Sequence, residues 1–201
     1  LCYIRDLTDG RLWSSGAQPI RTRPDWSRSS LALDRVTLQR ADGDIETRTE
    51  ITVVPGDAAE VRRVTLTNSG TRPHDIELTT YAEVVMAPRS ADRAHPAFSN
   101  LFVETEWHAW CSAITAVRRA RTADDVPHWC VHVVDAGADR IGEVQWETDR
   151  ARFLGRGRSV QQPAALDPGV ALSGTTGPVL DPILSLRTVV RVAPGQSVSV
   201  A

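Results

Sequence analysis

Apolar and polar residues alternate with a period of two over most of this chain, and that pattern limits the fold more than any other feature. Successive side chains of a strand point to opposite faces, so strict alternation makes one face for a core and one for solvent. The clearest case is LALDRVTLQRADGDIETRTEITVV, Leu31–Val54, which reads as two strands around ADGD. Glycine takes the positive φ of a tight hairpin turn at no steric cost, so Asp42-Gly43 marks the reversal. EVRRVTLTNSG places Val61, Val64 and Leu66 in a further strand closed by Asn68-Ser69-Gly70. DIELTTYAEVVM puts Ile76, Leu78, Thr80, Ala82 and Val84 on one face. LFVETEW, SAITAVRRA, HWCVHVVDAG, LRTVVRVAPG and QSVSVA continue the pattern. Repeated strands with Gly, Pro and Asn punctuation predict an all-β fold, a large antiparallel β-sandwich forming one domain over residues 1–201. Helix is expected only as one short piece near 149–154. Ser14–Ser30 and Gly155–Gly177 read as long loops, and loops of that length are functional or packed against something.

Composition narrows the function classes. Hydrophobic residues make up 41% and charged residues 24% of the chain, the balance of a globular protein with a real core. A net charge of −2 argues against a general nucleic-acid binder, which needs a basic surplus. Every basic residue except the histidines is arginine, which a GC-rich coding sequence explains better than chemistry. The chain opens at Leu1 and its one methionine is Met86, so a segment of a longer protein is expected. Cys2, Cys111 and Cys130 show no metal-ligand spacing. Reduced thiols are the default, and a Cys111–Cys130 bridge is compatible with the pattern.

The stretch ETDRARFLGRGRS, Glu147–Ser159, combines four arginines with Gly-x-Gly. An anion-binding glycine loop precedes its helix, so that free N–H groups and the positive dipole end face the phosphate. Here the order is reversed. Thr148 or Asp149 can cap a helix over DRARFL, and Gly155 follows as its stop. The arginines Arg150, Arg152, Arg156 and Arg158 are then solvated, salt-bridged, or available to a partner's carboxylates. In HWCVH, His128, Cys130 and His132 share one strand face. Neighbours on that face lie about 7 Å apart, too wide for three ligands of one tetrahedral ion, so no metal is expected. Among the acids, Glu104 and Glu106 alternate onto one face while Glu143, Glu147 and Asp149 follow later. Nothing marks the carboxylate pair that glycoside chemistry uses, and charged strand residues are expected to face solvent. No Gly-x-Ser-x-Gly elbow is present. Six tryptophans against three phenylalanines and two tyrosines is an unusual ratio. Core packing is the default for Trp107, Trp110, Trp129 and Trp146, and stacking on sugar rings is the alternative, with Trp107 and Trp146 the candidates for it.

Taken in order, YIRDLTDGRLWS, VRRVTLTNSGTRPHDIELTTYAEVVMAPRSADRAHPAFSNLFVETEW, ETDRARFLGRGRS and LSGTTGPVLDPILSLRTVVRVAPGQS resemble the N-terminal β-sandwich of glycoside hydrolase family 94, formerly glycosyltransferase family 36. AHPAFSNLFVETEW and LSGTTGPVLDPILSLR look most like the branch formed by the C-terminal modules of cyclic β-1,2-glucan synthases. Asn100, Trp107 and the run HAWCSAITAVRRART look individual to this protein.

The resemblance implies a super-sandwich that precedes an (α/α)6 catalytic barrel, absent from this chain. The barrel is expected to hold the general-acid aspartate and most phosphate and sugar ligands, so no residue here is assigned as catalytic. In the parent enzyme, inorganic phosphate as co-substrate would attack the anomeric carbon and release a sugar 1-phosphate with inversion. The chain itself is expected to be inactive, to need no cofactor, and to brace the barrel, shape the cleft rim and support homodimer contacts. Asp149, Arg150, Arg152 and Arg156 are the candidates for a barrel, subunit-interface or cleft-rim role. The implied partner is a β-glucan, reached through the parent enzyme on the cytoplasmic side of a membrane. The alternative is a free-standing carbohydrate-binding module using exposed tryptophans.

Overall fold

The computed structural model describes residues 1–120, 122 and 125–201. The strands run β1 (Cys2–Asp6), β2 (Leu12–Ser14), β3 (Trp26–Leu31), β4 (Val36–Asp42), β5 (Ile45–Val53), β6 (Glu60–Asn68), β7 (His74–Thr80) and β8 (Ala82–Glu83). They continue as β9 (Val103–His108), β10 (Ala113–Arg118), β11 (Trp129–Val133), β12 (Arg140–Asp149), β13 (Gly177–Pro178), β14 (Pro182–Val192) and β15 (Ser197–Val200). Three short helices interrupt them: α1 (Arg89–Ala94), α2 (Pro96–Asn100) and α3 (Arg150–Leu154). The fold is all-β, as the alternation predicts, and three sheets hold the strands.

The chain divides into two compact units. The first comprises 1–79, 135–143 and 188–201, and the second comprises 80–134 and 144–187. In the first unit a five-stranded sheet runs β15-β6-β5-β4-β3. Its β4–β5 hairpin turns at Gly43, with φ of 65°, and closes on the Asp42↔Ile45 pair. A core of Tyr3, Ile4, Trp13, Ile45, Leu66, Ile76, Val190 and Val192 is fully buried. The second unit contains the four-stranded sheet β11-β10-β9-β13 and a core around Ile114, Phe153, Ile183 and Leu186. The remaining sheet has the order β12-β14-β7-β1-β2, with β8 pairing β14.

Several expectations need correction. Ser14–Ser30 is not all loop, because Trp26–Leu31 forms an edge strand paired in full register with β4. Its side chains are exposed throughout, so no alternation signalled it. The alternation over 76–84 slips at Thr79, where Thr79 and Tyr81 are buried while Ala82 is exposed. β7 ends at Thr80 and the chain restarts in β8, so a single phase cannot span both. Helices α1 and α2 were absent from the reading. α1 buries none of its residues, which leaves no apolar stripe to detect, and α2 starts on Pro96, a residue suited to a first helical turn.

Two buried arginines organise the long connections. Arg40 on β4 is 3% exposed and uses all five of its donors. Nε and Nη2 grip the Asp42 carboxylate at 2.6 and 2.7 Å, Nη1 reaches the carbonyls of Ser14 and Gly16, and Nη2 also reaches that of Thr22. Arg187 on β14 donates to the carbonyls of Val170 and Ala165 at 2.6 and 2.5 Å. Each guanidinium therefore satisfies backbone carbonyls that a strandless loop would otherwise bury unpaired.

Candidate functional site

The end of β12 and the start of α3 form the best-organised polar site of the second unit. Glu147 is 2% exposed, against the expectation that strand acids face solvent. Its Oε1 accepts from the amides of Thr148 and Asp149 at 3.0 and 2.9 Å. Its Oε2 accepts from the amide and hydroxyl of Ser173. A carboxylate can stay buried here because four N–H and O–H donors replace its water. Leu172–Gly177 is laid along β12 by further bonds: Leu172 N to Gln145 Oε1, Gly174 N to Trp146 O and Thr148 Oγ1 to Thr175 O, each between 2.9 and 3.0 Å.

This scaffold presents α3. Asp149 caps it, accepting from Ala151 N at 2.8 Å, so Asp149 rather than Thr148 is the cap. Gly155 stops it with φ of 79° and ψ of 160°. Its positive φ fits the expected stop, but the ψ lies outside the left-handed helical basin, and a Cβ there would meet Ala164 Cβ at 2.7 Å. Glycine is needed for close approach as well as for conformation.

Arg150 is the hub of the exposed side of the site. Its Nε donates to Tyr81 Oη at 3.1 Å and to Glu83 Oε1 at 3.3 Å, and its Nη1 donates to Asp181 Oδ2 at 3.3 Å. Tyr81 Oη in turn donates to Glu83 at 2.9 Å, and Asn100 Nδ2 donates to Asp181 at 3.2 Å. Burial pushes the Tyr81 phenol up to about 12. The Arg150 hydrogen bond opposes that shift and Glu83 reinforces it. One guanidinium thus ties the segment after β7 and the residue before β14 to α3, and α2 joins through the Asn100 bond to Asp181. Val85, Phe98, Leu101 and Leu180, which flank these partners in sequence, are all exposed.

The other predicted arginines behave differently. Arg152 is exposed and lies 3.7 Å from Asp149 Oδ2. Arg156 is exposed beyond the helix stop. Arg158 pairs with Asp167 at 2.7 Å, inside the Gly155–Gly177 connection. The arginine that holds that connection from within is Arg187, which the sequence reading missed because it sits in an apolar strand, LSLRTVV.

The tryptophans also sort differently from the expectation. Trp107 and Trp146 stack on one another, with ring centroids 4.3 Å apart and an interplanar angle of 8°. Trp110 and Trp129 are not core residues: they are 87% and 63% exposed. Trp129 starts the edge strand β11, and Trp110 sits in the β9–β10 turn, where no strand covers it. Cys130 registers with Ala116 on β10, whereas Cys111 lies beyond Ala113 in the same turn, so strand length separates them and all three thiols are free. His132 Nε2 lies 2.8 Å from Thr80 Oγ1. Among the described residues no group of three His, Cys, Asp or Glu side chains could hold a metal ion. Among them, too, no helix is long and apolar enough to cross a membrane.

The sequence profile of the supersandwich domain of glycosyl hydrolase family 94 matches residues 1–201. The chain belongs to this family. It is 41% identical over 198 residues to the cyclic beta-(1,2)-glucan synthase NdvB of Rhizobium meliloti (strain 1021), a match covering 98% of this chain and 7% of that protein. It is 26% identical over 198 residues to the solabiose phosphorylase of Paenibacillus borealis, covering 98% of this chain and 24% of that enzyme. A 3-O-beta-D-glucopyranosyl-beta-D-glucuronide phosphorylase of the same organism is 30% identical over 78 residues, 39% of this chain and 10% of the enzyme. The supersandwich chain thus spans less than a quarter of the length of each of these relatives.

Proposed function

We propose that this supersandwich domain is the non-catalytic part of a larger family-94 enzyme acting on β-glucan, in the manner of a cyclic β-1,2-glucan synthase. It braces an (α/α)6 catalytic barrel, shapes the rim of the substrate cleft and supports dimer contacts. Phosphorolysis, with inorganic phosphate as co-substrate and inversion at the anomeric carbon, belongs to the barrel. The module works on the cytoplasmic side of its membrane.

The observation that carries this reading is the Arg150 hub. A half-exposed guanidinium joins α3 to two segments, at Tyr81–Glu83 and at Asp181, and Asn100 of α2 bonds the same aspartate. Exposed apolar side chains flank these partners, so they are held in place before any partner arrives. Rigid apolar surface with a polar centre suits a permanent neighbour within one polypeptide. Arg152 and Arg156, both exposed near the same helix, and Asp149 at its cap are further groups that a neighbour's polar side chains could meet.

The test uses the purified chain and the full-length enzyme. The chain incubated with linear β-1,2-glucan and phosphate is expected to release no glucose 1-phosphate; its detection would overturn the reading. In the full-length enzyme, Arg150→Ala is expected to lower phosphorolytic activity and loosen the barrel, read as faster proteolysis between the domains. Unchanged activity and proteolysis would remove Arg150 from the interface.

A further inference from the structure

We propose that the outer face of the β11-β10-β9-β13 sheet binds a neutral glucan chain, with Trp110 and Trp129 as its stacking platforms. In β11 the alternation turns Cys130 and His132 inward and leaves Trp129, Val131 and Val133 exposed at 63%, 63% and 53%. The register carries each of these across the sheet. Trp129 pairs with Val117, which pairs with Glu104; Val131 pairs with Thr115, which pairs with Glu106. The face therefore grades from the apolar edge strand β11 to the acids of β9 over two strand spacings, about 10 Å. Trp110, 87% exposed, stands in the turn beyond Ala113, at the Val133 end. Trp129 and Val133 are four residues apart, about 13 Å along the strand, which leaves room for more than one sugar ring between Trp129 and the turn that carries Trp110.

The chemistry of the face selects the occupant. A flat indole meets the C–H surface of a pyranose ring, while the hydroxyls on the ring edges need acceptors. Glu104 and Glu106 lie on the same face; Glu104 is paired with Arg119 Nε at 3.3 Å, while Glu106 is the open acceptor, with no cation among the described residues nearer than His108 Nε2 at 3.9 Å. The Glu106 carboxylate disfavours phosphate, nucleic acid and anionic lipid. An apolar protein surface covering the stripe would strip water from Glu106 with nothing to replace it. A neutral polyol supplies hydroxyl donors to the acids and C–H faces to the tryptophans at once. The open, strand-based surface suits an extended chain over a free monosaccharide. The choice of glucan among neutral polysaccharides rests on the proposed function; the site itself does not involve the Arg150 face.

The experiment titrates the purified chain with linear β-1,2-glucan and with cellohexaose, by calorimetry and tryptophan fluorescence. Polygalacturonate serves as the anionic control and Trp26→Ala as the aromatic control. Saturable binding of a neutral glucan is expected, weakened about tenfold by Trp110→Ala and by Trp129→Ala. Trp26→Ala should bind like wild type, polygalacturonate should not bind, and thermal melts should confirm that the variants fold. Absence of saturable binding by both neutral glucans would overturn the proposal, as would binding that survives both substitutions. Self-association in sedimentation that the same substitutions abolish, without sugar binding, would reassign the face to protein contact. None of these outcomes touches the Arg150 reading, which is scored by activity of the full-length enzyme.

Discussion

Trp107 and Trp146 lie face to face, 4.3 Å between ring centroids and 8° from parallel, so each covers one face of the other. The stack joins β9 to β12, and the Gly174 amide bonds the Trp146 carbonyl at 2.9 Å. Replacing either ring by alanine is expected to destabilise the domain by about 1–3 kcal/mol, below a full core truncation because both rings are half-buried. A double-mutant cycle should return a coupling of about 1 kcal/mol. Urea denaturation measures the energies, and loss of the indole exciton couplet in circular dichroism reports the stack itself. Additive single effects would mean that the rings do not stack in solution.

Arg40 and Asp42 form a buried bidentate pair in which the arginine also holds the carbonyl of Ser14 at the end of β2 and those of Gly16 and Thr22 in the following loop. Arg40→Met removes one charge and strands the other. The expected cost is about 3–5 kcal/mol, measured as a lower urea midpoint. The double variant Arg40→Met with Asp42→Leu is expected to recover part of that loss, because no uncompensated charge remains.

Arg187 performs the same task for the Gly155–Gly177 connection. Arg187→Leu leaves the Ala165 and Val170 carbonyls without their donor, at about 1–3 kcal/mol each. Amide exchange of 163–172 should accelerate more than that of β10. The exposed pair Arg158–Asp167 spans the same connection, but breaking it by Arg158→Ala should leave exchange close to wild type.

Tyr81 is pushed up to about 12, first by burial. A raised folded-state value means that the folded protein keeps the phenolic proton after the unfolded chain has lost it. The linked stability is fully present below about pH 10, the ordinary tyrosine value, and is lost as pH rises through about 12. In a Tyr3→Phe background the phenolate absorbance should therefore appear late. Glu83→Gln should bring it earlier, because the carboxylate's contribution is upward, and Arg150→Met should delay it further. An ordinary midpoint for Tyr81 would show that its phenol is not buried in solution.

The amino-acid sequence by itself determined the class of fold. Period-two alternation fixed most strands, Asp42-Gly43 fixed a hairpin, and helix polarity placed a Thr148 or Asp149 cap before α3 and Gly155 after it. Those features are local, set by steric and hydrogen-bonding rules over a few residues, and can be read from a single stretch. The ordered run of family segments was equally legible and led to the family-94 supersandwich. Tertiary structure decided what each polar or aromatic side chain meets. Glu147 is a strand acid by pattern and a buried, four-donor carboxylate in fact, because Ser173 arrives from 26 residues away. Arg187 reads as an interruption in an apolar strand and serves as the internal brace of a loop. Trp107, Trp110, Trp129 and Trp146 all read as core residues by default; Trp107 and Trp146 stack half-buried on one another, whereas Trp110 and Trp129 stand in solvent. Such pairings depend on strand register between segments far apart in the chain, and a pattern confined to one segment carries no record of its neighbour.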